Sequence, residues 1–268
     1  MKNLFILIVC FMFIIITAAV GFAEPEPSQQ HVWSFGPEVY YVRYNEPTVM
    51  RETGVMYGLE GSYAYHDSIM LKLEGRGAFG NVDYKNSGAL DNIPDYTLES
   101  RMLAGYDFPV AEKTTITPYL GFGYRFLDDD ASKMISSDGS DFYKRINHRF
   151  YSPLGIEGTM QMEDNWSIGA TAEYDIFWWG RQTSYLSDIS PSFNDVKNRQ
   201  KKGYGLRGSV KLQHNTEKID YLIEPFVRYW NISQSNNTNV TYSGVIVGYA
   251  SEPKNNTTEL GVNLGMKF

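Results

Sequence analysis

From about residue 32 to the end of the chain, apolar and polar positions alternate with period two in ten separate stretches: 32–43, 51–65, 68–83, 95–108, 114–127, 144–162, 165–181, 201–214, 217–231 and 257–268. Successive side chains of a strand point to opposite faces, so each stretch predicts a strand with one oily and one polar face. The oily rows are explicit. One runs Ile116, Pro118, Leu120, Phe122, Tyr124, Phe126; another runs Trp166, Ile168, Ala170, Ala172, Tyr174, Ile176, Trp178; a third runs Tyr204, Leu206, Gly208, Val210, Leu212. Pro118, Pro153 and Pro225 fall inside stretches, where each removes a ladder hydrogen bond and can disturb local register. No helical period of comparable quality follows residue 23.

The connections between stretches alternate in length, apart from a short first one. Short ones lie near His66-Asp67, Ala111-Glu112-Lys113, Glu163-Asp164 and Asn215-Thr216; long ones run from about 84 to 94, 128 to 143, 182 to 200 and 233 to 256. A soluble sandwich or lipocalin-like barrel has no reason to make every second loop long. A barrel with tight turns at one end and open loops at the other does. The long loops are rich in Ser, Asn, Asp and Gly and are expected to be solvated.

The last stretch, TTELGVNLGMKF, places Leu260, Val262, Leu264, Met266 and Phe268 on one parity and Glu259, Gly261, Asn263, Gly265 and Lys267 on the other. An alternating strand finishing on an aromatic resembles the final strand of the small bacterial outer-membrane β-barrels, the porin-like and surface barrels. The resemblance implies an all-β fold: one antiparallel transmembrane β-barrel of about ten strands, with short periplasmic turns and long extracellular loops. It also implies that Leu264, Met266 and Phe268 form the signal read by the barrel-assembly machinery. An even strand count puts both termini in the periplasm. The surroundings would be outer-membrane lipid and lipopolysaccharide of a Gram-negative bacterium.

The front of the chain fits that location. Lys2 is followed by an apolar run from Leu4 to Val20 and by Gly21-Phe22-Ala23, which predicts a secretory signal peptide over 1–23, cleaved after Ala23. Residues 24–31 read as a short periplasmic linker and 32–268 as the barrel. Cys10 lies inside the leader, so the mature chain carries neither a disulfide nor a thiol nucleophile. Loss of the leader removes one Lys and no acid, taking the net charge from −7 to −8. An acidic chain without a basic cluster is a poor nucleic-acid binder, and no nucleic-acid partner is expected. Aromatics make up 15% of the chain, with 20 Tyr, and they recur near strand ends, where interfacial girdles would lie.

Parity also assigns an inner face. Its acids are Glu38, Glu60, Glu74, Glu99, Asp107, Glu157, Glu173, Asp175, Asp220, Glu224 and Glu259; its bases are Lys72, Arg76, Arg101, Arg125, Arg149, Arg181, Arg207, Lys211, Arg228 and Lys267. The two sets nearly balance. Ten strands enclose a narrow interior in which opposite charges reach one another, and unpaired charges there are costly. Glu38, Glu60, Arg76, Glu99, Arg101, Arg125, Glu157, Glu173, Arg207, Lys211, Glu224 and Arg228 are therefore expected to form a lumen charge network, with Arg207 and Lys211 meeting Glu224 across neighbouring strands. A narrow conduit for small solutes is the alternative.

Candidate catalytic chemistry is sparse. Ten strands is also the count of the omptin surface proteases, which carry an Asp pair and an Asp–His pair at the extracellular rim. Here Asp-x-Asp occurs only in Asp128-Asp129-Asp130, read as loop, and Asp-x-His is absent. His66-Asp67-Ser68 has the spacing of a hydrolase pair but sits at a tight turn, where Asp-Ser is turn chemistry. His148 and Ser152 share the lipid-facing parity. The acidic segment from Asp128 to Asp141 could supply oxygen ligands to Ca²⁺ but lacks EF-hand spacing; no metal or other cofactor is expected. The expectation is a non-enzymatic outer-membrane barrel whose loops contact an extracellular ligand or which serves the envelope structurally. A porin-like channel, then a rim protease or lipid hydrolase, are the alternatives.

Overall fold

A computed structural model describes residues 30–268. The leader at 1–23 and most of the linker lie outside the described residues. The strands are β1 (His31–Glu46), β2 (Met50–Asp67), β3 (Ile69–Lys85), β4 (Ala89–Tyr106), β5 (Phe108–Ala111), β6 (Thr114–Asp130), β7 (Lys144–Gln161), β8 (Trp166–Ser184), β9 (Val196–Gln200), β10 (Gly203–His214), β11 (Asp220–Ile232), β12 (Thr238–Tyr242), β13 (Val245–Ala250) and β14 (Asn255–Lys267).

Ten of these close a ring in which every pairing is antiparallel, in the order β1, β2, β3, β4, β6, β7, β8, β10, β11, β14. β14 pairs with β11 on one side and β1 on the other, so no edge is left open. At the seam the Trp33 and Phe268 backbones exchange hydrogen bonds of 2.8 and 2.9 Å. Closure satisfies every ladder internally, the condition for a sheet to sit in lipid. β5 continues β4 past Asp107 and pairs with β6. β9 pairs with the far end of β8 and hands over to β10. β12 and β13 form a separate hairpin inside the last long loop.

The polarity of an ordinary domain is inverted. Outward positions are large and apolar, with Leu59, Leu73, Leu120 and Leu260 each more than half exposed, while many inward positions are Arg, Glu and Tyr. The turns use backbone conformations that local residues tolerate: Asp164 and Asn165 both take positive φ between β7 and β8.

Four departures from the expected layout have physical causes. The connection placed at 84–94 shrinks to residues 86–88, because β3 and β4 run on as a hairpin well beyond the lipid-facing rows. Asp128–Asp130 belong to the end of β6, where the strand climbs past the barrel wall. The segment 131–143 is not freely solvated: Met134 and Phe142 fold back over the long-loop mouth onto Tyr84, with the Phe142 and Tyr84 rings 4.8 Å apart, edge to face. Finally, Arg181 points outward. The β7–β8 register slips between Phe150 and Tyr151, one extra residue enters β8 near Trp178, and the parity beyond it inverts, so Gln182 rather than Arg181 is buried.

Candidate functional site

The interior at mid-height is a knot of ion pairs built from strands on all sides of the barrel. Arg76 reaches Glu38 (2.9 Å), Glu99 (2.8 Å) and Glu259 (2.9 Å). Arg228 approaches Glu38 (3.1 Å), Glu60 (3.2 Å) and Glu259 (3.5 Å), and Arg125 also pairs with Glu259. Arg207 spans Glu99 (2.5 Å), Glu173 (3.1 Å) and Asp175 (2.8 Å). Arg101 joins Glu173 (2.6 Å) to Glu74 (2.5 Å). Glu38, Glu99, Glu173 and Glu259 thus each face two or more guanidinium groups, whose fixed forks suit bidentate and bridging contacts.

Two tyrosines lock the knot from the wall. Tyr151 donates to Glu99 (2.6 Å) and Tyr119 to Glu173 (2.7 Å). Each ring lies against a glycine directly opposite on the neighbouring strand, Tyr151 over Gly123 and Tyr119 over Gly155, and a Cβ at either glycine would collide with the ring. The side chains of Glu38 and Asp175 have no solvent access, and Glu99, Glu173, Glu259 and Arg125 retain 1%.

Below the knot, toward the short turns, the lumen widens into a vestibule of about 920 Å³. Its wall carries the looser part of the network: Lys211 lies 3.5 Å from Glu157 and 3.9 Å from Glu224, and Lys72 is 2.7 Å from Glu74. The expected pairing of Arg207 with Glu224 does not occur. Arg207 turns across the lumen instead, and Glu224 accepts a hydrogen bond from Ser209 (2.5 Å). Near the vestibule mouth His66 meets Asp107 (2.6 Å), which also accepts from Thr117 (2.6 Å).

Above the knot a void of about 60 Å³ separates it from a second tier. There Arg145 pairs with Glu52 and Asp129 and lies 3.9 Å from Glu46. Tyr44 donates toward Glu46 (2.7 Å) and Glu252 (2.9 Å), and Gln182 donates to Glu252 (2.5 Å). Glu252 comes from the last long loop and acts as a stopper in the mouth. Burial, reinforced by the neighbouring Glu46, pushes its carboxyl up to about 7.

All twelve residues of the expected charge network face the lumen. Nine belong to the knot or touch it through Glu74, Glu173 and Glu259; Glu157, Lys211 and Glu224 line the vestibule. Glu52 and Arg145 sit on the inward parity of their strands, so the pattern carries a signal for them. Glu46 and Asp129 lie past the expected strand ends, and Glu252 is a loop residue with no periodic signal. Leu264, Met266 and Phe268 all point outward and are exposed. His148 is on the outer face, where its Nδ1 lies 2.8 Å from the Tyr124 hydroxyl. In the acidic segment, Asp138 accepts from Ser136 and Ser140, which hold its carboxylate below the usual range. Among the described residues no three His, Cys, Asp or Glu side chains are grouped as a metal site would need.

No protein-family model and no curated protein matches the chain. Solved structures do. The outer membrane protease OmpT from Escherichia coli superposes over 92% of this chain and 99% of its own, with a TM-score of 0.62 at 9% identity. The fold is that of the outer-membrane β-barrels. Looser matches include the outer membrane protein OprG from Pseudomonas aeruginosa (10% identity, 91% of this chain and 98% of that one, TM-score 0.37). The Pseudomonas putida toluene transporter TodX is another (8% identity, 90% of each, TM-score 0.35). At 9% identity the likeness to OmpT is one of architecture alone.

Proposed function

We propose that this chain is a non-enzymatic barrel of the bacterial outer membrane, closed to solutes, with its long loops outside and both termini in the periplasm. The observation that carries the closed state is the buried, cross-linked knot around Arg76, Glu99, Arg207 and Glu259. An ion crossing it would have to separate buried pairs that each cost several kcal/mol to break, of order 3–5 kcal/mol for one lost partner.

The outward apolar girdle supports placement in lipid, and the terminal strand with Leu264, Met266 and Phe268 supports delivery by the barrel-assembly machinery. Outer-membrane lipid and lipopolysaccharide are then its immediate neighbours. Contact with an extracellular ligand falls to the β12–β13 hairpin, whose Val245 and Tyr249 are 67% and 70% exposed among otherwise polar loops. The second reading, a porin-like conduit, draws on the vestibule, which already opens half of the lumen.

Orientation and closure are tested together. The mature chain has no cysteine, so a single Val247→Cys should react with a membrane-impermeant maleimide on intact cells, and Thr216→Cys at a short turn should not. Liposomes holding the wild-type protein should not swell in small sugars. Labelling at Thr216 alone would invert the topology, and sugar-driven swelling would favour the conduit.

A further inference from the structure

On the outside of the barrel, near the long-loop end, a row of basic side chains crosses three strands. His148 on β7 is the register partner of Arg181 on β8, and Arg181 is the register partner of Arg199 on β9. The bulge near Trp178 is what brings Arg181 into this row; on unbroken parity it would have pointed into the lumen. Lys197, two residues before Arg199 and so on the same face, is exposed, and so are Lys201 and Lys202 beyond it. Among the described residues none of Arg181, Lys197, Arg199, Lys201 and Lys202 has an ion-pair partner. Lys144 nearby shows the contrast, held 2.8 Å from Asp128.

Directly beneath the row lies an aromatic ledge. Phe150 and Trp179 stack with their centroids 4.6 Å apart, and the Arg199 guanidinium sits 5.3 Å from the Trp179 ring. Below that run the lipid-facing side chains Phe122, Trp178 and Tyr174, all exposed. Apolar wall, aromatic ledge and cations therefore follow one another along the barrel in the order of acyl chain, interface and head group.

Like charges set directly opposite on neighbouring strands repel one another. With strands about 4.8 Å apart, the row places two guanidinium groups and an imidazole across about 10 Å. Most charges of the lumen are paired across it, whereas this clustered exterior set is left open to something supplied from outside the chain. We propose that the His148–Arg181–Arg199 row, with Lys197, Lys201 and Lys202, docks the head group of an outer-leaflet glycolipid that carries more than one phosphate, as lipopolysaccharide does. A zwitterionic phospholipid brings one phosphate and its own cation, and so matches the row poorly. Free phosphate would find no enclosed cavity here, only an open surface that an anchored lipid can reach. Arg suits the role because its fork bonds phosphate bidentately and stacks on aromatic faces.

The inference rests on the outer-membrane placement proposed above, and the test separates the two. The full mature chain is folded in detergent and titrated, at fixed salt, with purified lipopolysaccharide and with the same lipid stripped of its phosphates. Binding is followed by Trp fluorescence and by native mass spectrometry. Wild type should prefer the phosphorylated lipid at least tenfold. Arg181→Gln/Arg199→Gln should lose that preference while remaining a heat-modifiable barrel. Arg43→Gln/Lys85→Gln, exposed cations elsewhere on the rim, should bind like wild type. Equal affinities for wild type and the row variant, or an equal loss in the rim control, would overturn the inference alone. A chain that forms no heat-resistant barrel in detergent or lipid removes the outer-membrane reading and the lipid site with it.

Discussion

Arg207 and Arg228 are register partners on β10 and β11, yet their guanidinium groups serve different carboxylates. Arg207 takes Glu99, Glu173 and Asp175; Arg228 takes Glu38, Glu60 and Glu259. Two like charges that would repel across a strand pair are drawn apart by acids on opposite walls. The barrel interior is thus held by contacts across its diameter, in addition to the ladders around its circumference.

Truncation within the knot should therefore be expensive. Arg207→Ala and Glu99→Ala each strand buried partners and should each cost about 3–5 kcal/mol. Because the two share one network, the double variant should cost less than the sum of the singles. Glu224→Ala, in the hydrated vestibule, should cost below about 1 kcal/mol. Urea unfolding from lipid vesicles checks all four. A Glu224→Ala loss as large as that of Glu99→Ala would place the critical charges in the wrong tier.

The glycine–tyrosine pairs make a second, steric prediction. Gly123→Ala forces the Tyr151 ring off its seat and should cost about 1–3 kcal/mol as an overpacking change. Tyr151→Phe keeps the ring but leaves Glu99 without that donor, at about 1–3 kcal/mol. Adding Tyr151→Ala to Gly123→Ala should cost less than Tyr151→Ala costs in the wild type, since the clash is gone. Additive effects would mean the ring and the glycine do not meet.

Most of this barrel was legible in the sequence, because lipid on one side and a charged lumen on the other force a strict period of two. All ten barrel strands fall where the alternation places them, and the inward acids and bases follow from parity. Arg181 shows where that logic stops: one bulge, with no sequence mark of its own, inverts everything beyond it. The partners within the lumen were equally hidden. Parity states which way Arg207 points, but whether it meets Glu224 beside it or Glu99 across the barrel depends on side-chain reach and barrel diameter. Glu252 could not have been found at all, since loops carry no period.

The terminal strand tests the assignment of faces. Leu264 is half exposed on the outside, and Asn263 is buried beside the register partners Glu38 and Glu224. Leu264→Arg should cost about 2–4 kcal/mol if it lies near the bilayer midplane. Asn263→Arg places its charge near two carboxylates and should be milder. The reverse ranking in refolding experiments would mean that this strand is turned over.

Glu252 gives the loop stopper a pH dependence. An undocked carboxyl titrates near 4.5 and the docked one at about 7, so between these values the docked loop holds a proton that the free loop releases. Docking should be firmest below that window, weaken as pH rises through it, and level off above. Glu46 opposes the ionised form; Arg145, the Tyr44 hydroxyl and Arg149 partly offset it. Limited proteolysis of the last long loop should be faster at pH 8 than at pH 5, and Glu252→Gln should remove the difference. Cleavage that is equally fast at both pH values in the wild type would rule the stopper out.

Single-channel recording in a planar bilayer addresses the closed lumen most directly. The wild-type barrel should be electrically silent, and Arg207→Ala, which opens the knot between the vestibule and the upper void, should show discrete openings. A large, steady wild-type conductance, altered only in ion selectivity by Arg207→Ala, would contradict the closed lumen and establish a conduit in its place.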